Sequence, residues 1–234
     1  MKHNPKFIYP KSTRATVNGQ RHYDLGAAKL PSVTTILSAT QPEEKRKSLE
    51  LWRKRVGEVE AARIVDSSAT RGTAVHTILE NYITGQGYLD LTDIGRNAHT
   101  MAQTIIDKGL ANKITEYYGI EATLYYPDLY AGATDLIAQH IGCDSIIDFK
   151  QTNKPKKKEW IEDYFIQIAA YAMAHDYVYG TQIDKCIIMM CDPNNLYQEF
   201  VIRGYEIKNY KHKFLRRLDE YYNKINKLTG VDKT

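Results

Sequence analysis

The feature that most limits the possible folds is a strand–helix–strand run in the second half of the chain. Residues 145–150 have the pattern of a strand, residues 160–179 that of a helix with one apolar face, and residues 183–191 are almost continuously apolar. A strand buried on both faces that follows a crossover helix pairs in parallel with the strand before the helix. The run therefore predicts an α/β domain whose central sheet is covered by helices.

The neighbouring segments extend this sheet. Residues 120–126 and 130–139 predict an antiparallel hairpin, residues 196–202 a further strand, and residues 206–228 a closing amphipathic helix. Near the start of the chain, Asn18-Gly19 predicts a small hairpin. Residues 31–85 are helical in pattern, with an amphipathic helix after Ser67-Ser68 that ends near Gly85, and residues 97–112 predict another helix.

Composition excludes several classes of protein. With 43% hydrophobic and 26% charged residues, the chain is expected to be globular rather than disordered. Its three cysteines are an odd number without CxxC spacing, which favours neither a disulfide framework nor a zinc ribbon. No signal-peptide core or membrane-span-length apolar stretch is seen, so we expect a cytoplasmic protein that does not contact a membrane.

The charge balance permits a polyanionic partner without requiring one. The net charge is +4, and four lysines cluster directly after residue 153: Lys154, Lys156, Lys157 and Lys158. Taken alone, such a run is more often a solvated face than a binding site. Arg71, Lys154 and Lys156 are nevertheless candidates for contacts with phosphates, which would make affinity fall steeply with salt.

Two carboxylates and a lysine are predicted to meet at one edge of the sheet. Alternate residues of a strand share a face, so Asp148 and Lys150 point to the same side, and Asp135 interrupts an apolar stretch of the adjacent strand. Close carboxylates repel each other, and a Mg²⁺ or Mn²⁺ ion would offset that repulsion. Such an ion also activates water for attack on a phosphodiester, and a lysine can orient or deprotonate that water. A simple Asp148–Lys150 ion pair is the alternative.

These residues resemble the PD-(D/E)XK nuclease superfamily, in which an aspartate precedes an Asp/Glu-any-Lys triplet on the next strand. Here the pattern is Asp135 followed by Asp148-Phe149-Lys150. The RecB-type branch adds a Gly-any-any-any-His helix, present as residues 72–76, and a Gln-any-any-any-Tyr helix, present as residues 167–171. Within that branch the chain is similar to the family of mitochondrial genome maintenance exonucleases and their phage-encoded relatives.

The resemblance implies a fold and a site. The fold is an α/β PD-(D/E)XK nuclease core, a mixed central sheet flanked by helices, with an N-terminal helical lobe. Residues 1–115 would form the N-terminal segment and the lobe that contributes His76, and residues 116–234 the core, as one integrated unit. His76, Asp135 and Asp148 would bind the metal with the backbone carbonyl of Phe149. Gln167 and Tyr171 would contact the nucleic-acid backbone or hold Lys150 in place.

Other expectations concern residues around this site. Residues four apart share a helical face, so Gly72 is expected to leave room beside His76. Glu80 is expected to be a solvated helix residue. Glu121, which opens the first predicted strand, could join the water shell of a second ion but is a weak candidate.

The implied activity is an Mg²⁺- or Mn²⁺-dependent exonuclease that prefers single-stranded DNA, which the relatives thread past a helical arch. We expect a monomer without an iron–sulfur cluster, of phage or bacterial source, with replication or recombination proteins as candidate partners. A structure-specific endonuclease on the same core is one alternative. A catalytically silent DNA-binding protein is another.

Overall fold

The computed structural model describes residues 1–229, so residues 230–234 at the end of the predicted core lie outside it. It contains nine strands, six α-helices, one π-helical turn at Ile106–Leu110 and a short 3₁₀ helix at Lys158–Ile161. The strands are β1 (Lys2–His3), β2 (Thr13–Val17), β3 (Gln20–Asp24), β4 (Lys29–Pro31), β5 (Ile114–Tyr126), β6 (Tyr130–His140), β7 (Cys143–Gln151), β8 (Lys185–Cys191) and β9 (Tyr197–Arg203). The helices are α1 (Val33–Ala39), α2 (Glu43–Val56), α3 (Glu58–Thr84), α4 (Asp93–Ile105), α5 (Glu162–Tyr179) and α6 (Tyr205–Thr229).

A six-stranded mixed sheet, in the order β1-β5-β6-β7-β8-β9, forms the centre of the molecule. β7 and β8 are parallel and joined by α5, while β5–β6, β6–β7 and β8–β9 are antiparallel. Every residue of β8 is buried, as its apolar run predicts. The predicted α/β fold with a mixed central sheet flanked by helices is thereby confirmed.

Two apolar cores cover the two faces of this sheet, and β8 contributes to both. Alternate side chains of a strand point to opposite faces. Cys186, Ile188 and Met190 pack in the core beneath α1, α5 and α6, whereas Ile187, Met189 and Cys191 pack in the core beneath α3 and α4. Each fully buried aliphatic side chain contributes roughly 1.5–3 kcal/mol, so both helical layers are held firmly against the sheet.

The helical region differs from its prediction in one place that matters for the site. α3 does not begin after Ser67-Ser68 but at Glu58, directly after Gly57, whose φ of +87° ends α2. Ser68 lies inside the helix, where its hydroxyl accepts a hydrogen bond from Asn153 instead of capping a helix start. One continuous helix therefore runs from the outer lobe to the sheet.

The predicted N-terminal hairpin is present and is placed against the main sheet. Asn18 and Gly19, at φ +50° and +75°, form its two-residue turn, as a tight hairpin turn with two positive φ angles requires. Tyr23 and Leu30 of this small sheet pack on Ala131 of β6. Among residues 1–229, no helix has both the length and the apolar character needed to cross a membrane.

Candidate active site

Three carboxylates lie in a row across three neighbouring strands of the main sheet. Continuing the register of the adjacent pairs places Glu121 of β5 opposite Asp135 of β6, and Asp135 opposite Asp148 of β7. Side chains opposite each other on paired strands share a face and lie close together. The fold therefore gathers three acidic groups at one point of the sheet.

The sheet forks at this point. Backbone pairing between β6 and β7 ends at Leu136 and Ile147, although β6 stays paired with β5 and β7 with β8 beyond it. In place of a strand partner, the amide of Phe149 donates a hydrogen bond of 2.6 Å to Oδ2 of Asp135. This charge-assisted bond fixes the orientation of the Asp135 carboxylate, whose second oxygen, Oδ1, faces His76.

His76 reaches the row from α3. Its Nδ1 lies 3.3 Å from Oδ1 of Asp135. Burial lowers the pKa of His76, but the negative charge of Asp135 outweighs that effect and the pKa is raised. One turn earlier, an added Cβ at Gly72 would lie 3.4 Å from Cγ of Gln151 on β7, an ordinary contact distance. That Gly72 leaves room beside His76 stays a prediction.

On β7, the half-buried Lys150 forms an ion pair with the buried Asp148. The pKa of Asp148 is raised to about 6, because burial and the charge of Asp135 together outweigh the opposing effect of Lys150. Burial lowers the pKa of Lys150, yet Asp148 and Asp135 together outweigh this and raise it. Lys150 is therefore an ammonium ion. The three carboxylates therefore share the site with this ammonium and with the imidazole of His76.

Glu121 is a closer neighbour of this site than the sequence suggested. β5 begins at Ile114, six residues before the predicted strand. The prediction missed these residues because two register shifts between residues 114 and 119 interrupt the alternation of inward and outward side chains. Glu121 therefore lies inside the strand, with a φ of +45°. A non-glycine residue in this left-handed region costs on the order of 1–3 kcal/mol. Burial, then the charge of Asp135, raises the pKa of its carboxyl.

The donors present suit a divalent cation. Ligand atoms of His76, Glu121 and Asp135 all lie within 4.8 Å of one another. Two carboxylates and an imidazole, beside the buried carboxylate of Asp148, form a mixed oxygen and nitrogen set. Carboxylate oxygens are the ligands that a hard divalent cation prefers, so the residues present fit such an ion.

Further residues around the carboxylates come from the N-terminal sheet and from α1. Arg14, Arg21, Ser32 and Thr34 line the same cavity, of about 390 Å³, as the three carboxylates. Arg14 approaches Glu121 at 3.8 Å. The sequence analysis missed these residues, because no local motif links a hairpin near residue 18 to a strand near residue 135.

The predicted pair on α5 forms part of the wall of this cavity. Nε2 of Gln167 donates a hydrogen bond of 2.9 Å to the hydroxyl of Tyr171. Tyr171 is only 3% exposed, and its ring leaves no space for a side chain at Gly132, where an added Cβ would lie 2.5 Å away. Burial raises the pKa of Tyr171 well above its usual value, and the nearby charge of Asp148 adds to this.

The predicted cationic residues lie elsewhere. Arg71, Lys154 and Lys156 line a neighbouring cavity of about 640 Å³ between α3 and the segment after β7. Nε of Arg71 donates a hydrogen bond of 3.0 Å to Oε1 of Gln151, the residue after Lys150. Glu80 is exposed, as expected of a solvated helix residue. The predicted residues therefore divide between the carboxylate cavity and a cationic cavity beside it.

Comparison with curated proteins identifies relatives that share one name, mitochondrial genome maintenance exonuclease 1. The mouse protein is 30% identical over 216 residues, which cover 87% of this chain and 62% of that protein. The Xenopus tropicalis protein is 29% identical over 210 residues, covering 83% and 58%, and the human protein 26% identical over 207 residues, covering 83% and 59%. The chain spans about three fifths of the length of these relatives.

No family model matches the sequence. Among solved structures, a candidate exonuclease from Eubacterium rectale has a TM-score of 0.45 at 13% identity, covering 65% of this chain and 68% of that one. An alkaline exonuclease from Laribacter hongkongensis has a TM-score of 0.32 at 17% identity, covering 72% and 100%. The named curated relatives, in contrast, confirm the resemblance to PD-(D/E)XK nucleases that the motifs predict.

Proposed function

We propose that this chain is a metal-dependent DNA exonuclease that acts on single-stranded DNA or on DNA ends. The observation that carries the proposal is the row of Glu121, Asp135 and Asp148 at the fork of the sheet, with Lys150 and His76 beside it. A structural ion pair would need one acid and one base. Three acids around one ammonium, facing a cavity, instead suit phosphodiester hydrolysis with a divalent ion.

The ion would be held by His76, Asp135 and Asp148, with the carbonyl of Phe149 as the resemblance implies. Glu121 is added to this set because its carboxylate lies within reach of His76 and Asp135. Mg²⁺ and Mn²⁺ both accept such oxygen-rich ligand sets. When bound, the ion activates water and offsets the charge that builds up on the phosphate.

The residues of the chain contribute orientation and charge. Lys150, held as an ammonium by Asp148, donates a hydrogen bond to a phosphate oxygen or to the attacking water; it does not remove a proton. The hydrogen bond from the Phe149 amide keeps Asp135 fixed while substrate binds. Because Tyr171 is almost fully buried, it and Gln167 hold the wall beside Asp148, and this role suits them better than direct contact with DNA.

The cationic residues beside the site would bind the rest of the strand. Arg71, Lys154 and Lys156 line a cavity that adjoins Gln151 at the end of β7, so phosphates next to the scissile one can reach them. Residues 1–115 then supply His76 and the outer wall, and residues 116–234 the strand positions of the three carboxylates. DNA replication, recombination or degradation in a phage or bacterium is the setting we propose.

The test is digestion of a single-stranded oligonucleotide labelled at either end, in Mg²⁺, Mn²⁺ or EDTA. Wild type should release nucleotides only with metal, and Lys150→Ala should bind the DNA without cleaving it. A circular single strand should stay intact, because an exonuclease needs an end. Cleavage of the circle would favour an endonuclease, and binding without cleavage by wild type would favour a silent DNA-binding protein.

A further inference from the structure

The ammonium of Lys150 must lie at one place if it is to donate to a phosphate, and the lysine side chain alone does not fix that place. Its four-carbon stem is flexible, so Nζ can move widely around its own backbone. The side chain of Lys150 is 19% exposed and lines the carboxylate cavity. β7 fixes only the start of the stem. The position of Nζ therefore depends on the groups that surround it.

Two groups contact this ammonium. One is the carboxylate of Asp148, which forms the ion pair on β7. The other is the aromatic ring of Tyr164 on α5, whose centre lies 5.1 Å from Nζ of Lys150. A cation within about 6 Å of the centre of a ring, over its face, is attracted by the electrons of the ring. The ammonium is thus held by a carboxylate and by an aromatic ring from different elements.

These two partners differ in how they respond to a bound ion. Asp148 is also a proposed ligand of the ion, and a carboxylate shared with a divalent cation attracts an ammonium less strongly. Tyr164 is outside the proposed ligand set, and its hydroxyl forms no hydrogen bond within residues 1–229. The attraction between the ring and Lys150 therefore does not depend on sharing a ligand with the ion.

The ring of Tyr164 is itself held in place. α5 begins at Glu162, so Tyr164 lies in the first turn of this helix and packs against the core beneath it. The preceding residue, Asp163, lies 3.0 Å from Lys45 and 3.5 Å from Arg217. Tyr164 also lines the carboxylate cavity. An anchored helix therefore presents the ring to the ammonium at the edge of the site.

We propose that Tyr164 is a positioning residue for Lys150, whose ammonium its ring holds where it can donate to the substrate. The inference rests on the proposed nuclease function. Tyr164 lies outside both helix motifs, residues 72–76 and 167–171, so the sequence motifs do not indicate it. Loss of the ring should lower kcat about tenfold, which corresponds to about 1.4 kcal/mol in the activation barrier.

Steady-state cleavage of a labelled single strand separates positioning of Lys150 from contact with DNA. Tyr164→Leu should lower kcat about tenfold, whereas KM and the dissociation constant of the strand in EDTA should stay near those of wild type. Tyr164→Phe keeps the ring and should restore kcat. The matched control is Tyr210→Leu on α6, which removes a ring whose centre lies 5.3 Å from Nζ of Lys213, and it should leave kcat unchanged.

Nuclear magnetic resonance gives a second readout that needs neither metal nor cleavage. Protons over the face of an aromatic ring are shifted upfield, so the ε-methylene signal of Lys150 should report the ring of Tyr164. In protein with carbon-13-labelled lysine, this signal is assigned by its absence in Lys150→Arg. It should move downfield in Tyr164→Leu and stay in place in Tyr164→Phe. Tyr164→Met, which keeps a long apolar side chain, replaces Tyr164→Leu if that variant does not fold.

The outcomes separate this inference from the nuclease itself. Cleavage by wild type with an unchanged kcat in Tyr164→Leu would overturn the positioning role and leave the nuclease standing. An equal loss of kcat in Tyr164→Phe, or a raised dissociation constant with unchanged kcat, would also overturn it, because the hydroxyl or a DNA contact would then be responsible. The expected shift of the Lys150 signal in a wild type that does not cleave would support the contact and contradict the nuclease.

Discussion

Two clusters of ionisable groups lie at opposite ends of the strands β6, β7 and β8, and they differ in the partners of their charged side chains. At the far end, Nζ of Lys185 donates to Nδ1 of His140 at 2.6 Å and to the backbone oxygen of His140 at 3.0 Å. Both residues are buried, at 3% and 1% exposure. At the fork, Asp135 and Asp148 outnumber Lys150 and face a cavity.

The comparison shows which kind of buried charge indicates a site. Lys185 and His140 pair with each other, and the ammonium requires a neutral imidazole whose proton lies on Nε2, an atom without a hydrogen-bond partner in the described residues. At the fork, in contrast, ligand atoms of two carboxylates and an imidazole converge beside open space, where they can bind a cation. Burial alone does not separate the two clusters, but convergent ligand atoms beside a cavity do.

The largest effect on cleavage should come from a substitution in the carboxylate cluster at the fork. Asp148→Asn keeps the shape of the side chain but removes the charge that holds Lys150 and a metal, so cleavage should fall by roughly 10²–10³-fold or more. The matched change at the other cluster, Lys185→Met, should leave the cleavage rate of folded protein unchanged. Both rates are measured on the labelled single strand. A large loss in Lys185→Met would mean that the far cluster also serves the reaction.

The far cluster should show itself in the pH dependence of stability. Burial, and then the charge of Lys185, lowers the pKa of His140 to about 4. The unfolded chain binds this proton near pH 6.5 and the folded chain only near pH 4, so stability present above pH 6.5 is lost as pH falls toward 4. The shift corresponds to about 3 kcal/mol. Urea unfolding between pH 4 and 7 should show a shallower pH dependence in His140→Gln, and an unchanged slope would refute the assignment.

A smaller, two-sided effect is expected at Glu121. Glu121→Gln and Glu121→Gly both remove a proposed ligand, so the metal concentration for half-maximal activity should rise by roughly 10-fold. Glycine tolerates the φ of +45° that glutamine does not, so Glu121→Gly should be about 1 kcal/mol more stable to urea than Glu121→Gln. Equal stabilities would show that the backbone there is relaxed.

Much of the fold could be predicted, because its elements have strong local periodicity. The parallel β7–α5–β8 unit and the Asn18-Gly19 turn each follow from a short window of sequence. The start of α3 could not be predicted, since Ser68 forms its hydrogen bond with Asn153, 85 residues away. Local pattern indicates a serine cap equally well whether or not such a distant partner exists.

The candidate site was predictable where motifs sit on regular elements and not where separate elements meet. Asp135 and Asp148 follow the last residue pair between β6 and β7, and the Phe149 amide holds Asp135 there. Glu121 was expected to be only a weak candidate, because register shifts hide how far its strand extends. Arg14 was missed because it comes from a separate small sheet. Likewise, the cationic cavity is lined by α2 and by a segment about 100 residues later in the chain.

The continuity of α3 limits the insertions and deletions that this chain can tolerate during evolution. Its 27 residues extend about 40 Å, and they carry both Arg63 and Arg71 of the cationic cavity and His76 of the fork. Inserting or deleting one residue between Arg63 and His76 would rotate one feature against the other by about 100° and shift it by about 1.5 Å. Substitutions in this stretch can therefore accumulate singly, whereas changes in its length must be compensated at once. Divergent descendants should vary in residue type here long before they vary in spacing.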